Sequence, residues 1–249
     1  MKALIFAAGK GERMRPLTDH TPKPLLQAGG KRLIEWHLER LARLGVRDIV
    51  INTSWLAAAF PAALGDGSRW NVALHYSEEG AEPLETGGGM LKARDLLGTQ
   101  PFLALNGDVY CDFDLATLGL RDGDLANLVL VDNPAHHPRG DFRLVNDRLA
   151  SIDSAGTAAR LTFAGIGIYD PTLLDDWRRV VGDDAGANET PPRFKLAPLL
   201  HAAIAKGRVG GMHHRGCWTD VGTPQRLAQL DTVLGSGPDH RTAPGRANH

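Results

Sequence analysis

Four separated groups of residues in this chain have the types and spacing to handle phosphate. The first follows the apolar run Ala3 to Ala8: Gly9-Lys10-Gly11, then Arg13 and Arg15, then Lys23 between Pro22 and Pro24. Glycines expose backbone amides and fixed cations add charge-assisted donors, so the segment reads as a cradle for a ligand with several phosphates. The second is Leu84-Glu85-Thr86-Gly87-Gly88-Gly89, a glycine triplet opening a helix, where first-turn N–H groups can face a planar or anionic ligand. Tight chain reversal would equally account for those glycines. The third, Asn106-Gly107-Asp108, ends the apolar run from Pro101. A carboxylate at the carboxyl end of a parallel strand sits at the ligand crevice of open α/β sheets. There Asp108 suits Mg²⁺, which takes one or two carboxylates together with substrate phosphates, although strand-end aspartates also serve as turn formers. The fourth is Trp218-Thr219-Asp220-Val221-Gly222-Thr223-Pro224. Thr223 as N-cap and Pro224 at the first helical position have a structural reason to be there; Asp220 does not.

Related motifs are excluded by their own requirements. A Walker A loop needs Gly-Lys-Ser/Thr, which is missing, and the dinucleotide fingerprint fails because Met14 stands at its third glycine. That also excludes a dinucleotide-dependent dehydrogenase. His136 and His137 are adjacent in a polar loop, an arrangement more often solvated than metal-bound, and no further ligand spacing supports them. Cys111 and Cys217 match neither a zinc pattern nor a disulfide framework and read as free thiols. A net charge of −1 argues against nucleic-acid or anionic-membrane partners. The apolar run after Lys2 is too short for a secretory signal, and no run spans a bilayer, so a cytoplasmic protein is expected.

These residues must be held by a scaffold, and at 249 residues with 43% apolar content the chain can build one. Leu33 to Leu44 has helical periodicity and ends at Gly45; Asp48 to Thr53 reads as a buried strand, Ala57 to Leu64 as a helix, and Val72 to Ser77 as another strand. Strand and helix alternate, so the expected fold is α/β, a mostly parallel sheet flanked by helices. From Leu125 short strands dominate (Leu128 to Val131, Arg143 to Val145, Leu149 to Ile152, Leu161 to Tyr169), which suggests a smaller β-rich lobe. Asp170-Pro171 opens a helix reaching Val181. The stretch 182–192 has a surface-loop composition suited to a lid, and a further helix runs to about Lys206. Lys195 at its start opposes the helix dipole, which points to an anionic partner or to an indifferent exposed lysine. A last helix spans Pro224 to Leu234, and residues 235–249 are expected to be disordered.

In sequence order, G-x-G-x-R-M-x-P-L-T with T-P-K-P-L (Gly9 to Leu25), ETGGG (Glu85 to Gly89), N-G-D (Asn106 to Asp108) and W-x-D-x-G-T-P (Trp218 to Pro224) resemble the signature elements of the sugar-phosphate nucleotidyltransferases over about Met1 to Leu234. The resemblance implies a Rossmann-like, GT-A-like single domain, with 1–124 mainly binding the nucleoside triphosphate and 125–234 mainly the sugar phosphate. It implies nucleotide contacts from Ala8, Gly9, Gly11, Glu12, Arg13 and Lys23, with base and ribose read by Glu85, Thr86 and Gly87. It further implies Mg²⁺ on Asp108 and Asp220, sugar-phosphate contacts from Asn106, Gly140, Asp141 and Lys195, and catalytic roles for Arg13, Lys23, Asp108 and Asp220. Within the family, GERMRPLT, ETGGG, GDFR and FKLAP resemble most the N-acetylmuramate 1-phosphate uridylyltransferases of peptidoglycan recycling. Two departures, the missing E-K-P strand motif and Glu12 in place of Ser or Thr, point away from glucose or mannose 1-phosphate.

The implied reaction joins UTP and a sugar 1-phosphate. A sugar phosphate is already an anionic nucleophile, so in-line attack on the α-phosphorus needs positioning and charge neutralisation but no side-chain nucleophile. The alternatives are guanylyl or thymidylyl transfer to another sugar phosphate, or a non-catalytic nucleotide sensor, which would not need to keep Asp108, Asp220 and Lys23 together. No β-helix repeat signals an added acyltransferase, and a monomer or small homo-oligomer is expected.

Overall fold

The computed structural model describes residues 1–151, 158–184 and 186–235. Its strands are β1 (Lys2–Phe6), β2 (Gln27–Ala28), β3 (Lys31–Arg32), β4 (Asp48–Thr53), β5 (Ala73–Glu78), β6 (Phe102–Asn106), β7 (Val109–Cys111), β8 (Ala126–Val131), β9 (Phe142–Val145), β10 (Arg148–Ser151), β11 (Arg160–Tyr169), β12 (Val209–His213) and β13 (Trp218–Asp220). The helices are α1 (Leu33–Arg43), α2 (Ala59–Leu64), α3 (Glu85–Lys92), α4 (Arg94–Leu97), α5 (Trp177–Val181), α6 (Ala197–Ala205) and α7 (Pro224–Gly235).

One nine-stranded sheet runs through the molecule in the order β5-β4-β1-β6-β11-β8-β12-β10-β9, with β9 also pairing β11. Successive residues of β1 face opposite ways, and both faces are covered. Ala3 and Ile5 join Ile34, Leu38, Leu41 and Phe60 on one side, while Leu4 joins Met90, Leu97, Leu199 and Leu200 on the other. Burial on both faces explains why β1, β4 and β6 read as continuous apolar runs.

Expectation and structure part company in the second half of the chain. Strands β5, β4, β1 and β6 are parallel as expected, but β11 is antiparallel to β6 and β8, so the sheet is mixed. The strands after Leu125, expected as a smaller β-rich lobe against the first half, extend this same sheet. The expected helix from Asp170 is two pieces, a 3₁₀ turn over Pro171–Leu174 and α5. Ile152 and the expected disordered tail beyond Gly235 lie outside the described residues. Among the described residues, no helix is long and apolar enough to cross a membrane.

The topology fixes where ligands can bind. Phe6 at the end of β1 lies in register with Asn52 of β4 on one side and Asn106 of β6 on the other. The chain leaves β1 toward β4 and β5 and returns to β6 on the opposite flank, so these aligned strand ends open onto the crevice of a topological switch point.

Candidate active site

Three adjoining compartments line that crevice, of about 340, 390 and 290 Å³, and Asn106 forms a wall of all three. The first holds Ala8, Gly9, Lys23, Asn52, Glu85, Thr86 and Asp108. The second brings Arg13, Asp108, His136, His137, Asp141 and Asp220 together. The third is lined by Phe142, Phe163, Tyr169, Leu200 and His201 alongside Thr86 and Asp141.

The glycine-rich loop is shaped by its neighbours. Gly11 adopts a left-handed φ of 66°, and a Cβ there would lie 2.9 Å from Thr18 Cγ2, while the Thr18 hydroxyl donates to the Gly11 carbonyl at 2.9 Å. Met14, the residue that breaks the dinucleotide fingerprint, is buried with Leu33, Val221 and Leu230 and pins the loop to α1 and α7. Glu12 is exposed beyond the loop. Lys10 reaches across to Glu82 at 2.7 Å, tying this loop to the segment before α3.

Behind the first compartment lies a buried polar relay. Asn52 Oδ1 accepts the Ala7 N–H at 2.7 Å, Asn52 Nδ2 donates to Glu79 at 2.6 Å, and the other Glu79 oxygen accepts the Leu84 N–H at 2.7 Å. Burial pushes the Glu79 carboxyl above its ordinary pKa. The relay couples the phosphate loop to the start of α3, where Glu85 itself has a left-handed φ of 62°. Such a backbone persists only where its surroundings fix it.

The glycine triplet plays a different part from the one expected. Gly87 and Gly88 donate their N–H groups to the Phe194 carbonyl at 2.9 and 3.0 Å, so these amides are not free for a ligand. A Cβ on Gly87 would meet the Phe194 ring at 2.5 Å, and one on Gly88 the Pro192 carbonyl at 2.4 Å. The glycines allow the segment 192–194 to lie against α3. Thr86 accepts the Leu196 N–H at 3.0 Å, locking the same junction.

Asp108 and Asp220 are brought together by a two-stranded ribbon. β7 leaves Asp108, β13 leads into Asp220, Asp220 pairs with Val109, and the Val221 N–H donates to the Asp108 carbonyl at 2.8 Å. Each carboxylate faces a cation: Asp108 pairs with Lys23, and Asp220 accepts from Arg226 at 2.7 Å with His136 at 3.1 Å. Thr223 accepts the Arg226 N–H at 3.3 Å, the N-cap bond of α7, which sets Arg226 on the first turn facing back to Asp220. Two oxygen-only donors, adjacent through their main chains and lining one compartment, are the donor set a hard divalent cation selects. Asp108 and Asp220 therefore fit a shared ion.

Asp141 lies between the second and third compartments, accepting the Phe163 N–H at 2.8 Å and paired with His137 at 3.0 Å. Gly165 has a φ of 74°, and a Cβ there would meet Asn106 Nδ2 at 2.7 Å, so its bare backbone leaves room for the Asn106 amide. Gly140 instead packs on Asn133 and Leu161, and Lys195 is exposed ahead of α6; neither lines these three compartments. His136 and His137, expected as a solvated pair, are 43% and 40% exposed at their side chains, and each also contacts a site carboxylate. Sequence reasoning also missed Arg226, Asn52 and Glu79. Asn52 carried a usable signal, because the buried runs of β4 and β6 share an asparagine at the same register position. Arg226 carried none, because only the turn at Gly222 brings it back to Asp220.

Known proteins agree with this geometry. A family model described as nucleotidyl transferase matches residues 2–139. An N-acetylmuramate alpha-1-phosphate uridylyltransferase of Neisseria meningitidis is 47% identical over 95% of this chain and 99% of its own. A protein of the same description from Caulobacter vibrioides is 33% identical over 93% and 96%. A mannose-1-phosphate guanyltransferase of Aspergillus fumigatus is 34% identical over 90% of this chain and 62% of its own. The fold matches a Bacillus anthracis structure, assigned as a glucose-1-phosphate thymidylyltransferase and crystallised with sucrose, at a TM-score of 0.78 and 18% identity over 97% and 98% of the two chains. With family model, near full-length relatives and fold in accord, the chain belongs to the nucleotidyl transferase family and is a nucleotidyltransferase enzyme.

Proposed function

We propose that the protein transfers a uridylyl group from UTP to N-acetylmuramate 1-phosphate, giving UDP-N-acetylmuramate and pyrophosphate. The observation that carries this reading is the 47% identity, spread over 95% of the chain, to a relative described by that activity. The two chains are nearly coextensive, so the likeness is not confined to the nucleotide-binding half of the chain.

The phosphates of UTP would lie along the amides of Gly9 to Arg13, with the Arg13 guanidinium on the β- and γ-phosphates, where negative charge grows as pyrophosphate leaves. Ala8, Glu85 and Thr86 border the compartment that takes base and ribose. Lys23 stands at the α-phosphate beside Asp108, the place where attacking and leaving oxygens must line up. Asp108 and Asp220 would hold Mg²⁺, which when bound supplies positive charge between the two polyanions. Asn106 and Asp141, shared by the sugar-side compartments, would take hydroxyl and N-acetyl groups, and the apolar third compartment would receive the rest of the sugar. No proton need be removed from the nucleophile, because a phosphate monoester is already an anion at neutral pH. In this reading residues 1–124 serve mainly the nucleotide and 125–234 mainly the sugar phosphate. Two free cysteines suit a cytoplasmic enzyme.

A second reading, guanylyl transfer to mannose 1-phosphate, rests on the 34% identity to the Aspergillus relative. Pyrophosphate release measured across the four nucleoside triphosphates and a panel of sugar 1-phosphates separates the two. UTP with N-acetylmuramate 1-phosphate is expected to give the highest kcat/KM, and a preference for GTP with mannose 1-phosphate would overturn the proposal.

A further inference from the structure

Outside the three compartments, one group of three metal-ligating side chains converges among the described residues: Cys111, Asp112 and His214, with one donor atom from each lying within 4.8 Å of the others. We propose that these residues bind a borderline-soft divalent cation, Zn²⁺ foremost, at the end of the β7–β13 ribbon away from Asp108 and Asp220.

The donor set selects the ion. One thiol, one imidazole and one carboxylate match zinc, whereas Mg²⁺ takes oxygen ligands and does not compete for sulfur. Ligands at zinc distances of 2.0 to 2.3 Å stand roughly 3.5 Å apart, so the three donor atoms would have to draw together by about an ångström.

The scaffold holds the three groups from distant parts of the chain. Cys111 ends β7 and is buried, and the Asp112 N–H donates to the Cys217 carbonyl at 3.0 Å, continuing the ribbon ladder. His214 follows β12; its N–H donates to the Leu130 carbonyl at 2.8 Å, and its ring stands edge-on to Phe113 at 5.6 Å. The imidazole meets Asp112 at 2.7 Å. Over this pair passes Gly216, where a Cβ would lie 2.5 Å from Asp112 Oδ1 and 2.5 Å from His214 Cε1. A side chain at position 216 would therefore crowd both Asp112 and His214. Asp112 is half exposed, so an ion can enter from solvent.

An ion here would fasten the segment after β12 to the end of β7. Because β7 starts next to Asp108 and β13 runs into Asp220, it would stiffen the ribbon that carries both active-site aspartates. The consequence is a higher melting temperature with Zn²⁺, independent of Mg²⁺ and nucleotide.

Cobalt titration of the metal-free full-length protein tests this directly, because a Co²⁺–thiolate bond gives a near-ultraviolet charge-transfer band. The expected result is one equivalent with tetrahedral visible bands, displaced by Zn²⁺ and untouched by excess Mg²⁺. Cys111→Ser and His214→Ala should abolish the band, whereas Cys217→Ser and Asp220→Asn should keep it. Asp112→Asn, at a half-exposed position, should fold and weaken binding about tenfold or more, so the test survives if Cys111→Ser misfolds. Absence of a thiolate band in the wild type, its survival in His214→Ala, or its loss in Cys217→Ser would overturn the site.

Discussion

At the residue scale, each of the two aspartates already has a cation against it, Lys23 on Asp108 and Arg226 on Asp220. Lys23 is paired with Asp108 at the edge shared by the first two compartments, and Arg13 lines the second with Asp220. If Lys23 neutralises charge at the reacting phosphorus, Lys23→Ala should fold normally by circular dichroism while pyrophosphate release falls ~10²-fold or more. Turnover within a few-fold of wild type would remove Lys23 from the mechanism. These residues were legible because each sits in a short motif whose residue types have a phosphate-binding reason. Arg226 and His136 were not, because they meet Asp220 only through the turn at Gly222 and the loop after β8, and no local spacing encodes such contacts. His136 and His137 illustrate the limit, since adjacent imidazoles in a solvated loop look alike in sequence whether or not they also meet carboxylates.

At the scale of elements, α1 acts as the strut under the turn that carries Asp108. His37, fully buried on α1, donates from Nε2 to the Asn106 carbonyl at 3.1 Å, and Arg40 donates to the carbonyls of Cys111, at 2.5 Å, and Phe113. Burial, with Arg40 beside it, lowers the His37 pKa from 6.5 to about 4. In the unfolded chain His37 takes up a proton near pH 6.5, which the native state refuses until about pH 4. Stability from this residue is therefore present above pH 6.5 and lost as the pH falls toward 4. By pH 5 the loss is ~2 kcal/mol, as each pH unit is worth about 1.4 kcal/mol. Urea unfolding at pH 7.5 and 5 should show a smaller drop for His37→Gln than for wild type, and equal drops would refute the assignment.

Helix α3 sets two effects against each other. Replacing a helical glycine by alanine gains about 1 kcal/mol in propensity, but at Gly88 the new Cβ would lie 2.4 Å from the Pro192 carbonyl. Overpacking of that kind costs about 1–3 kcal/mol, and backbone rather than a flexible side chain must yield. Gly88→Ala should therefore lower the melting temperature by several degrees and raise the KM for the nucleotide, because Thr86 is held at the same junction. A raised melting temperature would mean that the segment 192–194 moves aside freely. The triplet's place at a helix start was readable from sequence; its purpose was not, because the partner segment lies about a hundred residues away.

At the scale of the molecule, the sheet order does what no single motif could. The alternating first half was legible because helical and strand periodicities are strong there and both faces of the strands are apolar. The second half read only as a smaller β-rich lobe because its short strands carry no sign of their partners; β11, antiparallel to β6, joins them to the same sheet. The result places the ends of β1 and β6 at the crevice, with Asn106 common to all three compartments. The ribbon of β7 and β13 then delivers Asp108 and Asp220, 112 residues apart in the chain, to one wall. The whole account depends on those two carboxylates sharing one ion.

Electron paramagnetic resonance of Mn²⁺, substituted for Mg²⁺ and titrated into the protein with UTP, measures that sharing most directly when read alongside pyrophosphate release. The account predicts one bound Mn²⁺ in the wild type and loss of both the ion and turnover in Asp108→Asn and in Asp220→Asn alike. Either variant retaining the ion with wild-type affinity, or releasing pyrophosphate at the wild-type rate, would contradict it.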